Sequence, residues 1–264
     1  MPLQALVVVM SASLLLFTEA IALSAQVFAE GREPISQVLF KPSRTGKPPT
    51  TRGAGSRNDR LCSQDAPTNP GDSSAKTLAL TALVPSDQSG LTWAERPTFW
   101  VYLPKTSARQ MVLSVKAAGN QPHFQSFLPI TKEAGIVGIP LPTNSPPLEV
   151  GKSYQWAVVL LCGDRPNPND PFVTAWVERV APSPGISNSQ DALATAASYG
   201  EQGIWYDALT NLAIAQQSEI DKLALTKIWI DFLAQPSVGL GAIAKEPLQP
   251  TSQRQFPTKT NGDQ

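Results

Sequence analysis

Leu148-Glu149-Val150-Gly151-Lys152-Ser153-Tyr154-Gln155-Trp156 decides how this 264-residue chain is read. A glycine stands three residues ahead of a tyrosine, and a tryptophan follows two residues later. That is a sharp turn running into a strand, because glycine supplies the backbone conformations such turns need. Tyr154, Trp156, Val158, Leu160 and Cys162 then fall on one side of a long strand, since strand side chains alternate. The same period of two runs outward in both directions. Leu78, Leu80, Ala82 and Val84 alternate with polar or small neighbours. Phe99, Val101 and Leu103 share one face, and Trp100 and Tyr102 the other. Met111, Leu113 and Val115 alternate, as do Val137, Ile139 and Leu141, and residues 172–180 supply the last run. Turn-forming segments at 85–90, 104–109, 119–122, 142–147 and 163–171 separate these runs. Roughly seven short strands at this spacing predict an antiparallel β-sandwich over residues 76–182.

The 148–156 stretch resembles the tyrosine corner of immunoglobulin-like and fibronectin-type sandwiches, whose ring packs in the core and whose hydroxyl bonds upstream backbone. The resemblance makes Gly151, Tyr154 and Trp156 a structural corner; an ordinary glycine turn before an aromatic strand is the plainer alternative. After Pro184 the period becomes helical. Leu193, Ala196, Ala197 and Gly200 form one stripe, and Trp205, Ala208, Leu209, Leu212 and Ala213 a second. Leu225, Ile228, Trp229, Phe232 and Leu233 form a third, with Ser218 and Asp221 as a weak capping box and Pro236 as a stop. Residues 188–245 are thus expected to be a small helical hairpin plus one helix, followed by one short helical turn within 238–244, and the whole an α+β fold. Residues 196–209 are similar to half of a tetratricopeptide repeat, but a lone unit cannot stack into a solenoid. The sandwich is the surface left for these helices to cover, with Trp100 and Tyr102 as candidates for the contact.

The chain ends read differently. An apolar run over 3–17 and small residues to Ala29 mark residues 1–29 as an expected export signal, cut after Ala25 or Ala29. The run is short of the ~20 apolar residues a membrane helix needs. An uncleaved N-terminal anchor is the alternative. The expectation is a periplasmic or extracellular protein with no membrane span after cleavage. Residues 30–75 read as a flexible Gly/Pro-rich arm with few apolar clusters. From 31 to 60 it is basic: Arg32, Lys41, Arg44, Lys47, Arg52, Arg57 and Arg60 stand against Glu33 and Asp59. Such an arm suits an anionic lipid or glycan, or is simply a solvated linker. Residues 246–264 read as a disordered tail. Lys plus Arg is 21 and Asp plus Glu is 21, a balance that argues against a nucleic-acid binder.

Two cysteines in an exported chain predict one disulfide, Cys62 to Cys162. Zinc is the weaker reading, since closely spaced Cys or His pairs are missing. His123 is the single histidine, in a turn-like context, and a Ser–His–Asp triad would have to use it. No Gly-x-Ser-x-Gly elbow accompanies it. Asp164, Asn167, Asn169 and Asp170 offer oxygen ligands for calcium, but the glycine and closing glutamate of an EF-hand are missing, so a turn is expected. No metal and no cofactor is expected. Among the tryptophans, Trp93 and Trp100, with Tyr102, are the candidate ligand-facing aromatics; the rest are expected in core packing.

Several stretches, in order, resemble an uncharacterised family found mainly in cyanobacteria, domain of unknown function nine-two-eight. They include Arg52-Gly53, Cys62, residues 80–85, residues 97–104, residues 135–139, residues 148–156, Cys162, Trp176 and residues 203–209. The resemblance implies no activity, substrate or cofactor. The expected function is a non-catalytic exported binding or assembly module of the cell envelope, its partner an envelope protein or a glycan. A carbohydrate-binding module using exposed aromatics, and a hydrolase with a non-standard site, are the rival expectations.

Overall fold

The computed structural model describes residues 35–42, 61–65, 78–85, 90–117, 121–130, 133–183, 191–218 and 221–249. The chain divides into two compact units, Met1–Ile35 and Ser36–Gln264, and every element below belongs to the second. The expected export signal, residues 43–60 and 66–75 of the arm, and the tail from 250 onward lie outside the described residues.

The strands are β1 (Thr81–Ala82), β2 (Gly90–Thr92), β3 (Thr98–Leu103), β4 (Gln110–Ala117), β5 (Gln121–Pro129), β6 (Gly135–Pro140), β7 (Ser153–Leu161) and β8 (Phe172–Arg179). Three helices follow: α1 (Ala192–Glu201), α2 (Trp205–Gln216) and α3 (Lys222–Ala234). One sheet has the order β1-β3-β6 and the other β2-β8-β7-β4-β5. Phe99 of β3 meets Trp156 of β7 between the sheets, ring centroids 5.0 Å apart. On the opposite face of β3, the Trp100 indole donates to Thr210 Oγ1 of α2 at 3.0 Å. The three-stranded sheet is therefore a middle layer, with the larger sheet on one face and helices on the other.

That layering explains two patterns. Phe99-Trp100-Val101-Tyr102-Leu103 shows no polar alternation because both faces of β3 are covered; none of the five is more than 4% exposed. In β7, Tyr154, Trp156, Val158 and Leu160 are buried while the residues between them are half-exposed, as a sheet covered on one face requires. The Trp100 ring lies across Gly138, its register partner on β6. A Cβ on Gly138 would stand 2.8 Å from the ring, so only glycine fits.

Three consecutive residues at the start of α2 fasten the helices to the sandwich. The Trp205 indole donates to the Leu83 carbonyl at 2.8 Å. Tyr206 is buried beside Phe99, and its hydroxyl accepts from the Trp156 indole at 2.6 Å and donates to the Trp176 carbonyl at 2.9 Å. A Cβ on Gly90 would come within 2.4 Å of the Tyr206 ring, so β2 needs glycine there. Asp207 Oδ2 accepts from Thr92 Oγ1 at 2.7 Å and from the Trp93 amide at 3.1 Å. Burial raises the Asp207 carboxyl above the usual range, even though these donors pull it down. Burial likewise pushes the Tyr206 hydroxyl up, so it stays protonated.

Cys62 and Cys162 form a disulfide, closing a separation of 100 residues just beyond β7. In the chain-entropy model a loop of that size is stabilised by about 4.7 kcal/mol. Residues 61–65 are fixed around it. Gln64 Nε2 donates to the Cys162 carbonyl at 2.7 Å, and Asp65 accepts from Thr106 Oγ1 at 2.7 Å and the Ser107 amide at 3.0 Å. Burial alone would raise the Asp65 carboxyl; the donors from Thr106 and Ser107 outweigh it and hold it below the usual value.

Several expectations are corrected. The sandwich is not wholly antiparallel, because β2 runs parallel to β8. The run over 78–84 forms only the two-residue β1. His123 lies in strand β5, not a turn. That strand escapes alternation because it is an edge, where prolines at 122 and 129 are tolerated. The weak capping box does not form: Asp221 sits in the left-handed region (φ 53°), outside the extended geometry of an N-cap, and makes no side-chain cap bond. Residues 247–249 are not part of a disordered tail: Ile136 donates to the Pro247 carbonyl and Gln249 to the Ile136 carbonyl, each at 2.8 Å, joining Leu248 to β6 as a parallel bridge.

Tyr206→Phe leaves the buried Trp156 N–H without its acceptor. The expected loss is about 1–3 kcal/mol in urea denaturation; unchanged stability would show the hydroxyl to be dispensable. Asp207→Asn removes a group whose folded-state pKa is raised, so the wild type gains stability as pH falls through that pKa and the variant does not. The melting-temperature difference, wild type minus variant, should rise as pH is lowered from 7 toward 4; a difference independent of pH would refute this.

Candidate functional site: a groove for an extended peptide

Helix ends leave carbonyls without partners. At the end of α1, Gly203 (φ 74°) turns the chain so that its amide bonds the Gly200 carbonyl at 3.1 Å and Ile204 bonds that of Tyr199 at 3.0 Å. The Gly200 carbonyl also accepts from the Lys41 amide at 2.9 Å. At the end of α3, Pro236 forces Gln235 out of helical geometry (φ −55°, ψ 140°). The Gln235 carboxamide then grips the same passing segment. Its Nε2 donates to the Val38 carbonyl at 2.8 Å, and its Oε1 accepts from the Phe40 amide at 2.9 Å. One primary amide thus offers the donor and acceptor that a neighbouring strand would offer.

The gripped residues alternate as a strand does. Val38 and Phe40 are buried, and Leu39 between them is exposed. Phe40 sets its ring edge-on to Trp205 (centroids 4.9 Å) and to Phe232 (6.5 Å). Trp205 and Phe232 stack on each other at 5.5 Å, making a flat aromatic floor. Gly200 is what lets the backbone in: a Cβ there would stand 2.3 Å from the Leu39 carbonyl oxygen. Lys41 and Glu201 form an exposed ion pair at the rim, which adds little stability. The arrangement binds main chain and two apolar side chains. The expectation that the whole 30–75 arm is flexible is therefore corrected for residues 36–42, because Val38 and Phe40 bury apolar surface that offsets their ordering.

The residues singled out from sequence lie elsewhere. At the corner, Gly151 has φ 77°, and the Tyr154 hydroxyl accepts from the Glu149 amide at 3.0 Å. Trp156 is buried on Tyr206. Trp100 and Tyr102 are not ligand-facing: they are 1% and 4% exposed, because α2 and the following chain cover that face. Burial raises the Tyr102 hydroxyl, helped by Glu246. Trp93 is half-buried, edge-on to Tyr199 at 5.2 Å. His123 Nε2 bonds the Pro146 carbonyl at 3.0 Å, and its ring lies 4.8 Å from Tyr154. Asp170 folds its own loop, accepting from the Cys162 amide at 3.2 Å and the Asn167 amide at 2.8 Å. Among the described residues no group of three or more His, Cys, Asp or Glu could hold a metal ion.

Phe40, Gly200 and Gln235 escaped the sequence reading. Two weak signals were available. Val38-Leu39-Phe40 is an apolar cluster within the polar arm, and Gly200 sits in a helix, where glycine costs about 1 kcal/mol unless something approaches closely.

Gln235→Ala should free the Phe40 amide and Phe40→Ala should empty the aromatic seat. Hydrogen exchange at Phe40 and Lys41 is expected to approach that of an open chain while amides in β7 stay protected. Retained protection at Phe40 in both variants would show that the groove does not hold the segment.

No curated protein matches the chain. Among solved structures it is similar to the solution structure of the fn3 domain of the human collagen alpha-1(XX) chain, at 18% identity over 40% of this chain and 97% of that chain, with a TM-score of 0.23. Residues 52–248 match a family model described as Domain of Unknown Function. That span contains Gly200 and Gln235 but not Val38–Phe40. The chain belongs to the Domain of Unknown Function family DUF928.

Proposed function

We propose that this protein is a non-catalytic, exported module that binds an extended peptide and serves binding or assembly at the cell envelope. The observation that carries the reading is the grip of the Gln235 carboxamide on both main-chain groups of Val38 and Phe40. Main-chain hydrogen bonds to an extended segment, with alternate side chains buried, are the pattern of strand-like peptide recognition. Export is supported by the apolar run over 3–17 and by the Cys62–Cys162 bond, which persists in oxidising compartments. Among the described residues no helix is long and apolar enough to cross a membrane, which is compatible with the same reading. A non-catalytic role is favoured because the carboxylates drawn into the fold are engaged by its own donors: half-buried Asp207 by Thr92 and Trp93 at the sandwich–helix joint, and buried Asp170 by the Cys162 and Asn167 amides. The carbohydrate reading loses its motive with the burial of Trp100 and Tyr102.

Cross-linking and mass spectrometry of the full-length native protein tests this. The expected result is recovery in the exported fraction, cleaved near residue 29, with cross-links to polypeptide through Lys41, Lys227 or Lys245. Recovery in the cytosol with residues 1–29 intact would overturn export. Substrate turnover abolished by Asp207→Asn in a folded protein would overturn the non-catalytic role.

A further inference from the structure

The groove's ligand is a piece of the chain's own arm. The family match begins at residue 52, beyond Val38–Phe40, yet includes Gly200 and Gln235. Eighteen residues, 43–60, join Pro42 to Leu61, beside the cysteine that the disulfide pins. At ~3.3–3.6 Å per residue such a tether reaches up to about 60 Å. A domain of this size has a radius of gyration of about 16 Å. The segment can therefore reach past its own domain to a neighbour's groove.

Resting on the reading of this groove as a peptide seat, we propose that the arm of one copy occupies the groove of a second copy, so that the protein assembles by exchange of residues 36–42. Exchange loses no contact: the Gln235 grip, the Lys41–Gly200 bond and the Phe40 seat are the same in either arrangement. Only tether entropy and association entropy differ, which is why swapped segments are a low-cost route to dimers. A foreign peptide with the same contacts would compete against a tethered arm at an effective concentration on the order of millimolar. A second copy's arm meets the same competition, but each arm it seats vacates another groove in return, so exchange rises as protein concentration approaches that range. Reciprocal exchange closes a two-fold dimer; one-way exchange continues as an open chain.

The Lys41–Glu201 ion pair at the rim provides the reporter. Wild-type protein labelled with ¹⁴N or ¹⁵N is mixed, incubated over a range of concentrations, and treated with a carbodiimide, which joins paired amines and carboxylates. The expected result is a hybrid ¹⁴N/¹⁵N Lys41–Glu201 product that rises with concentration toward half of the linked material. It should be absent in Phe40→Asp, whose arm cannot enter the aromatic seat. Single-isotope products at every concentration would overturn the proposal and make the groove a brace within one chain. A second arm mixes Phe40→Asp, which keeps its groove, with Gln235→Ala, which keeps its arm. Under exchange each variant alone stays monomeric in light scattering and the mixture forms a heterodimer, because the arm of Gln235→Ala enters the vacant groove of Phe40→Asp; a mixture that stays monomeric, or a wild type monomeric at every concentration, would overturn the proposal. Single-isotope products together with cross-links from Lys41 to a different protein would remove the second-copy occupant and leave the envelope-binding role intact.

Discussion

Trp205, Tyr206 and Asp207 each hand a polar atom to a different part of the sandwich, and the rest of the structure depends on that joint. A helix usually meets a sheet through apolar side chains alone. Here the first turn of α2 also supplies partners for Leu83, Trp156, Trp176, Thr92 and Trp93. Burying the Asp207 carboxylate is unfavourable, and its donors offset only part of that cost. The joint therefore specifies one seating for the helix rather than simply adding stability, because any slip strands a buried donor or charge. Gly90 and Gly138 belong to the same constraint: each leaves room for a ring that reaches across the layers.

The groove inherits its order from that joint. The Trp205 indole bonds the sandwich with its nitrogen, stacks its face on Phe232 of α3, and meets the edge of Phe40. One side chain thus touches the sheet layer, the helical layer and the captured segment. Fixing its orientation from the sandwich side sets the aromatic floor before the segment arrives, which lowers the ordering cost of capture.

What the sequence made legible follows one physical rule. Where a face is buried against a continuous partner, the period shows: β7, the α2 stripe and the α3 stripe all bury the side chains their spacing marks. The disulfide was legible because two cysteines leave one pairing. Where an element is an edge or a main-chain interaction, the period is silent. β5 has a mostly exposed, proline-bearing pattern, and β2 is three residues long. The parallel pairing of β2 with β8 is made by backbone hydrogen bonds, which leave no period in the side chains, and the seat for residues 36–42 depends on a side-chain amide far along the chain, which no local period announces. Trp100 and Tyr102 read two ways, as contacts for the helices and as ligand-facing aromatics, because a doubly covered strand and an exposed aromatic platform look alike in one dimension; the Trp100 bond to α2 and the burial of both rings fit the first.

Phe40 and the glutamine that grips it are 195 positions apart along the chain. During synthesis the earliest docked segment emerges long before α3 exists, so its seat is built last. Until then Val38 and Phe40 remain apolar surface without a home, on a polypeptide that leaves its point of synthesis N-terminus first. Docking of this first segment therefore cannot precede completion of the third helix, so the front of the chain is seated after the back.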